Sequence, residues 1–274
     1  MIEANNSKTE RLQKILGHLE SVLVSFSGGV DSALLLCIAA EVLGMKAKAV
    51  TFTSPIFSRD DLARAENFAA ALGVAYKKIP FPILSQGDFL VNNEMRCRIC
   101  KRLMVEELKK EAAAQGMKSI VDGTNQDDLT DYRPGLAVLR RAGIRSPLME
   151  AGFTKNDIRL EANRRAIEFW DVGASACLAS RIAYGIPIRE ADLTIIDQAE
   201  AFLRDSGFTQ VRVRYHPSLA RIEVSPREIA RAAKSPFRGS LLSHLKTLGF
   251  HYVTLDLAGY RSGSMNELFT SPLP

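Results

Sequence analysis

The feature that most constrains this chain is the run Ser21–Leu36, SVLVSFSGGVDSALLL. Its first part, Ser21–Phe26, is apolar and β-branched and predicts a buried strand. The apolar run Asp31–Leu43 that follows predicts a helix. Between them stand Ser27, Gly28, Gly29, Val30, Asp31 and Ser32. Two glycines let the backbone approach an anion closely. The N–H groups and positive end of the following helix can then hold a phosphate. Ser27 and Ser32 add hydroxyl donors. Asp31 is out of place beside a bare phosphate, but it suits a site where magnesium bridges it to phosphates. No GxxxxGK[ST] is present, so this is not a Walker loop. The blander alternative is a Gly-rich turn with Ser or Asp capping the helix. SGGxDS after an apolar strand argues against it.

The rest of the first half repeats the alternation. Strands are predicted at Ala47–Phe52, Val74–Ile79 and Ser119–Val121, and helices at Thr9–Leu19, Arg59–Leu72 and Arg102–Gln115. This order predicts an α/β fold, a parallel sheet flanked by helices, which binds ligands at the carboxyl ends of its strands. Thr154–Phe169 reads as a further helix, with Thr154 and Asp157 spaced as a capping box. After Pro187 the pattern changes. Helices are predicted at Arg189–Ser206, Pro226–Ala233 and Ser240–Leu248, and strands at Gln210–Tyr215, Ala220–Val224 and Tyr252–Leu257. Two domains are expected, residues 1–186 and a smaller α/β domain at 187–274.

With 274 residues and a mean hydropathy of −0.03, the chain is long enough for a sizeable core. The N-terminus lacks the pattern of a secretory signal. The longest uncharged apolar run, Ala33–Ala40, falls far short of the roughly 20 residues that span a bilayer. A cytoplasmic protein with reduced thiols is expected, without a membrane partner. The net charge of +5 is spread along the chain, with +2 of it after Pro187. That is a poor nucleic-acid face, whereas a few local arginines would serve an anionic small molecule.

The chain has four cysteines. Cys37 lies in the apolar helix after the glycine loop and reads as a small buried hydrophobe. Cys97 and Cys100 form a CxxC within EMRCRICK, and Cys177 lies among small residues next to Ser180 and Arg181. Three cysteines suit neither a closed zinc site nor a simple disulfide. A three-thiolate iron-sulfur cluster with one open iron fits better. A redox CxxC resolved by Cys177, and a lone nucleophile at Cys177, stay open. On the strand Gln210–Tyr215, Arg212 and Arg214 alternate onto one face, where two guanidinium forks suit a phosphate. A solvated strand face is the alternative. Glu200 and Glu223 can face the same site and position a substrate or a metal.

SGGVDS resembles the signature of the PP-loop ATP pyrophosphatases, which split ATP to AMP and pyrophosphate and adenylate a substrate oxygen. The resemblance implies an adenine site near Ser54, in FTSP after the second strand. GTNQDD would supply Gly123, Asn125, Asp127 and Asp128 to ribose, metal or pyrophosphate, the alternative being a turn rich in Asn and Asp that caps a helix. Over nearly the whole chain the sequence resembles the LarE family of sulfur transferases. That likeness rests on SGGVDS, RCRICK, GTNQDD, YRPG, ACLASRI, VRVRYH, ARIEV and GYRSGSMNE. It implies that a pyridinium-3,5-biscarboxylic acid mononucleotide is adenylated and thiolated, toward the nickel-pincer nucleotide cofactor of lactate racemase. It also implies ATP, Mg2+ and a 4Fe-4S cluster held by Cys97, Cys100 and Cys177, with Asp31, Cys177 and Arg181 as catalytic residues. Ser180, Arg181, Arg212, Arg214, Glu200 and Glu223 would meet the substrate. A sulfur-donor protein and a homo-oligomer are the expected partners. A tRNA thiolase, an ammonia-dependent NAD synthetase-like ligase and a nucleotide-binding sensor are the rival readings.

Overall fold

The computed structural model describes residues 2–129, 135–173 and 176–261, with side chains described from Ser7. Tyr132–Pro134 of YRPG, and GYRSGSMNE beyond Arg261, lie outside the described residues. The chain divides into two compact units.

The first unit is built on β1 (Val22–Ser25), β2 (Ala47–Thr53), β3 (Ala75–Pro80) and β4 (Ser119–Val121). All pair in parallel, in the order β3-β2-β1-β4. Val22, Leu23 and Val24 are fully buried, which is why β1 reads as a continuous apolar run and not an alternating one. The helices are α1 (Ile2–His18), α2 (Val30–Leu43), α3 (Arg59–Ala71), α4 (Gly87–Leu90), α5 (Arg96–Ala114), α6 (Leu136–Arg141), α7 (Pro147–Glu150) and α8 (Lys155–Arg164). Leu12 and Leu16 of α1, Leu34–Leu36 of α2, and Ile158 and Ala162 of α8 pack with the sheet into one core. After β1 the chain builds β2 and β3 on one side, then returns to add β4 on the other. The carboxyl end of β1 is therefore the switch point of the sheet, where such folds open a crevice for ligands.

Two helix boundaries differ from expectation. α5 begins at Arg96, ahead of the expected Arg102. No Gly, Pro or Asn lies between Asn93 and Gly116, and Asn92 takes φ +57, so the chain turns there and becomes helical soon after. α8 ends at Arg164, short of Phe169, because Ala166 adopts φ +54. An alanine gives no sequence signal for a left-handed stop. The capping box is present: Asp157 N–H donates to Thr154 Oγ1, and Thr154 N–H donates to Asp157 Oδ2.

The second unit comprises 176–274 with the short segments Pro55–Ser58 and Leu90–Glu94. It holds α9 (Glu190–Asp205), β5 (Val211–His216), β6 (Leu219–Val224), α10 (Ile229–Ala233), α11 (Phe237–Thr247) and β7 (Tyr252–Leu255). β5 and β6 form an antiparallel hairpin, and β7 adds in parallel to β6. Leu203, Phe208, Val213, Ile222, Leu245 and Phe250 form its core. The unit opens at Ala176, ahead of Pro187, because the segment after Cys177 is hydrogen-bonded into it. Ile182 bridges to Tyr215 of β5, and Leu178 N–H donates to Ile56 O at 2.7 Å. Asn92 is fully buried, and its Nδ2 donates to the carbonyls of Ile182, Ala183 and Ile186.

Candidate functional site

In the first unit, the loop Ser27–Gly29 runs from β1 into α2. Gly28 takes φ +78, and a β-carbon there would collide with the Asp61 carbonyl of α3. Glycine is thus required by both conformation and space. The loop is braced by its serines. Ser32 Oγ donates to Gly29 O at 3.0 Å, accepts Ser27 N–H at 3.3 Å and lies 3.2 Å from Ser27 Oγ. No side chain caps the N-terminus of α2. The first N–H groups of a helix have no intrahelical partner, so this end suits an anion.

The segment after β4 closes on the same loop. A β-carbon on Gly123 would lie 2.8 Å from Ser32 N, so glycine permits that approach. Asn125 and Asp128 are buried, and Asp128 Oδ2 accepts Asn125 N–H at 3.0 Å. Asp127 Oδ2 accepts Lys155 N–H at 2.7 Å. Both carboxylates therefore shape the loop. Ser54 Oγ, at the carboxyl end of β2, is a buried hydroxyl without a hydrogen-bond partner. A buried polar atom of this kind suits a ligand acceptor or donor.

Lys155, which the sequence reading did not single out, belongs to this site. Its Nζ lies 2.6 and 2.7 Å from the two carboxylate oxygens of Asp31. The only sequence signal was its place just after the Thr154 cap, which aims the first turn of α8. Asp31 thus already serves a cation, and its carboxylate suits Mg2+ equally.

In the second unit, Arg181 and Arg214 are buried with carboxylate partners. Arg181 grips Glu200 at 2.9 and 3.0 Å, and Arg214 grips Glu223 at 2.9 and 2.8 Å. Arg181 also donates to Ser180 Oγ at 3.1 Å, and Arg214 to Ser180 O at 3.0 Å. Arg204 adds to Glu200, and Arg221 to Glu223. Burial works against the Glu200 carboxylate, yet the charge and hydrogen bonds of Arg181, with Arg212 and Val213 N–H, hold its pKa below the ordinary value. Arg212 shares the face of β5 with Arg214. Burial first, then the like charge of Arg181, lowers its pKa. Ser180, Arg181, Arg212 and Arg214 are thus gathered with Glu200 and Glu223. Guanidiniums outnumber carboxylates in the group, which favours an anion.

None of the four cysteines is in a disulfide among the described residues, and each is partly buried. Cys97 and Cys100 stand three apart in the first turns of α5, which places them on one helix face. Cys177 precedes a short 3-10 turn, Leu178–Arg181, in the second unit. Among the described residues, no group of three or more His, Cys, Asp or Glu is gathered as a metal site. Cys37 packs against the first core, and burial raises its pKa. Trp170 packs there too, and His216 has its pKa lowered by burial and by Arg221 and Arg214.

A family model described as NAD synthase matches residues 5–110, the part that holds the phosphate loop. The pyridinium-3,5-bisthiocarboxylic acid mononucleotide synthase of Lactiplantibacillus plantarum is 36% identical over 265 residues, 96% of this chain and 95% of that protein. The chain belongs to this synthase family. An uncharacterized protein of Synechocystis sp. is 38% identical over 96% of this chain and 98% of its own length. Another, from Methanocaldococcus jannaschii, is 28% identical over 96% and 97%. Because the likeness to the synthase covers both units, it extends beyond the phosphate loop to the arginine cluster. No helix among the described residues is long and apolar enough to cross a membrane.

Proposed function

We propose that this protein is an ATP-dependent sulfur transferase acting on pyridinium-3,5-biscarboxylic acid mononucleotide. The observation that carries the reading is whole-length likeness to the synthase in a chain whose phosphate loop sits at the sheet's switch point. Ser27, Gly28, Gly29, Val30 and Ser32 hold the phosphates of ATP, with Ser54, Gly123, Asn125 and Asp128 at its other groups. Asp31 would hold Mg2+, and Lys155, released from Asp31, pairs with the phosphates as they arrive. A ring carboxylate oxygen attacks the α-phosphorus of ATP, the bond to pyrophosphate breaks, and an acyl adenylate forms. A sulfur nucleophile then attacks the carbonyl carbon and AMP leaves, giving a thiocarboxylate. A second cycle thiolates the other carboxylate, toward the nickel-pincer nucleotide cofactor of lactate racemase.

Arg212 and Arg214 meet the substrate phosphate, and Ser180 and Arg181 meet its carboxylate. Glu200 sets the direction of Arg181 and Glu223 that of Arg214, and their oxygens are engaged in doing so. Cys97 and Cys100, on one helix face, would hold two irons of a 4Fe-4S cluster and Cys177 a third. Bound there, the cluster would supply the sulfur nucleophile. The reading includes a cytoplasmic location, a sulfur-donor protein and a homo-oligomer. The NAD synthase match favours a second reading, an ammonia-dependent ligase, which leaves the three cysteines without a task. Anaerobic purification with metal analysis tests the cluster. Iron and labile sulfide in cluster-like ratio are expected, and stoichiometric zinc would contradict it.

A further inference from the structure

The phosphate loop rests on the first turns of α3, and Arg64 of that helix ties the two together. Its Nη1 donates to Gly28 O at 3.3 Å and to Asp61 Oδ1 at 2.7 Å. Its Cζ lies 5.4 Å from the centroid of the Phe169 ring. Asp61 thus takes the edge of the guanidinium and Phe169 its flat face, so its place beside the loop is set from two directions. Phe169 packs edge-on against Phe68 at 5.3 Å, and Phe68 packs against Phe26 at 5.9 Å between ring centroids. Phe26 immediately precedes Ser27. The support of Arg64 is therefore continuous with the core under the loop.

The contact falls on one peptide unit, the one between Gly28 and Gly29. With glycine on both sides, that peptide has no side chain of its own to fix its direction. A peptide is planar and trans, so its C=O and N–H point in opposite directions. Arg64, by holding Gly28 O, therefore turns Gly29 N–H away from the guanidinium. That N–H meets Ser27 Oγ at 3.4 Å, a long bond that an anion can replace. Gly29 is the N-cap of α2, and no side chain caps that end. Its N–H thus stands with the open donors of the helix end, where a phosphate would sit.

We propose that Arg64 is a positioning residue that fixes the Gly28–Gly29 peptide with its N–H toward the phosphates of ATP. This rests on the reading that the loop holds those phosphates. The test measures Kd for inorganic pyrophosphate with Mg2+, and KM for both substrates, on the full chain and its Arg64→Met and Arg64→Lys variants. Arg64→Met weakens pyrophosphate binding roughly tenfold, about the worth of one hydrogen bond to an anion. KM for ATP rises by a similar factor, while KM for the pyridinium mononucleotide stays constant. The melting temperature barely moves, because the Arg64–Asp61 pair is partly exposed. Arg64→Lys keeps the charge but has no flat face for Phe169, and pyrophosphate binding stays weak. Pyrophosphate affinity unmoved by Arg64→Met, or restored in full by Arg64→Lys, overturns the inference and leaves the reading of the loop standing. A parallel rise in both KM values with a fall in melting temperature marks general loosening and also overturns it. Wild-type protein that binds neither pyrophosphate nor ATP overturns both. The lysine variant keeps a cation beside Asp61, so the test holds even if Arg64→Met fails to fold.

Discussion

The ammonium of Lys155 bridges both carboxylate oxygens of Asp31, at 2.6 and 2.7 Å, across 124 positions of sequence. The contact joins the start of α8 to the phosphate loop. It places a cation at the N-terminus of α2, beside the phosphate loop. Both side chains are about a quarter exposed, at 23% and 27%. A pair this wet contributes on the order of 1 kcal/mol or less to folding. Lys155→Met should therefore leave the melting temperature nearly unchanged. Pyrophosphate release should fall by roughly 10²- to 10³-fold, the range for losing one preorganised charge at a reacting phosphate. A variant that keeps full turnover would remove Lys155 from the mechanism.

Gly28 and Gly123 are expected to tolerate no side chain. Gly28→Ala meets both the positive φ and the Asp61 carbonyl, and Gly123→Ala meets Ser32 N. Each should lose ATP-dependent pyrophosphate release, measured at saturating substrate. The expected destabilisation is about 1–3 kcal/mol each, in urea titration. Wild-type ATP affinity in either variant would contradict the packing described.

Glu200 is fully buried between Arg181, Arg204 and Val213 N–H. Glu200→Ala leaves a buried guanidinium uncompensated and should cost about 3–5 kcal/mol. Arg181→Met with Glu200→Leu together should recover much of that stability, since the two charges leave together, but no sulfur transfer. Recovery of activity in the double variant would show that Arg181 has no part in the reaction.

Acid should weaken the first unit through Glu161. Its carboxylate is buried, which alone would raise its pKa, yet Arg164 and Arg165 hold the pKa below the ordinary 4.5. A depressed folded pKa means the contribution is complete above 4.5 and is lost as pH falls through the lower folded value. The stability gap between wild type and Glu161→Gln should therefore be constant near neutrality and shrink as pH drops below 4.5. Urea unfolding across that range checks it. A gap that widens on acidification would reverse the sign.

The architecture was legible because its signals are local. An apolar strand, a glycine pair and an apolar helix are adjacent in sequence, and the alternation around them leads to a parallel sheet. The phosphate loop and the Arg212–Arg214 alternation carry their geometry in two to six consecutive residues. What stayed hidden depends on distant partners. Nothing near Lys155 announces Asp31, and nothing near Glu223 says that it serves Arg214 and not Arg212, which faces it directly. The helical start at Arg96 was obscured because a basic CxxC run reads as a loop. Once helical, the same spacing places Cys97 and Cys100 on one face.

The most direct measurement is mass spectrometry of the product after anaerobically purified protein meets ATP and pyridinium-3,5-biscarboxylic acid mononucleotide. The account predicts AMP, pyrophosphate and a substrate in which carboxylate oxygen is replaced by sulfur, with none from the Cys97→Ala, Cys100→Ala, Cys177→Ala variant. An amide formed with ammonia, or full thiolation by that triple variant, would contradict it.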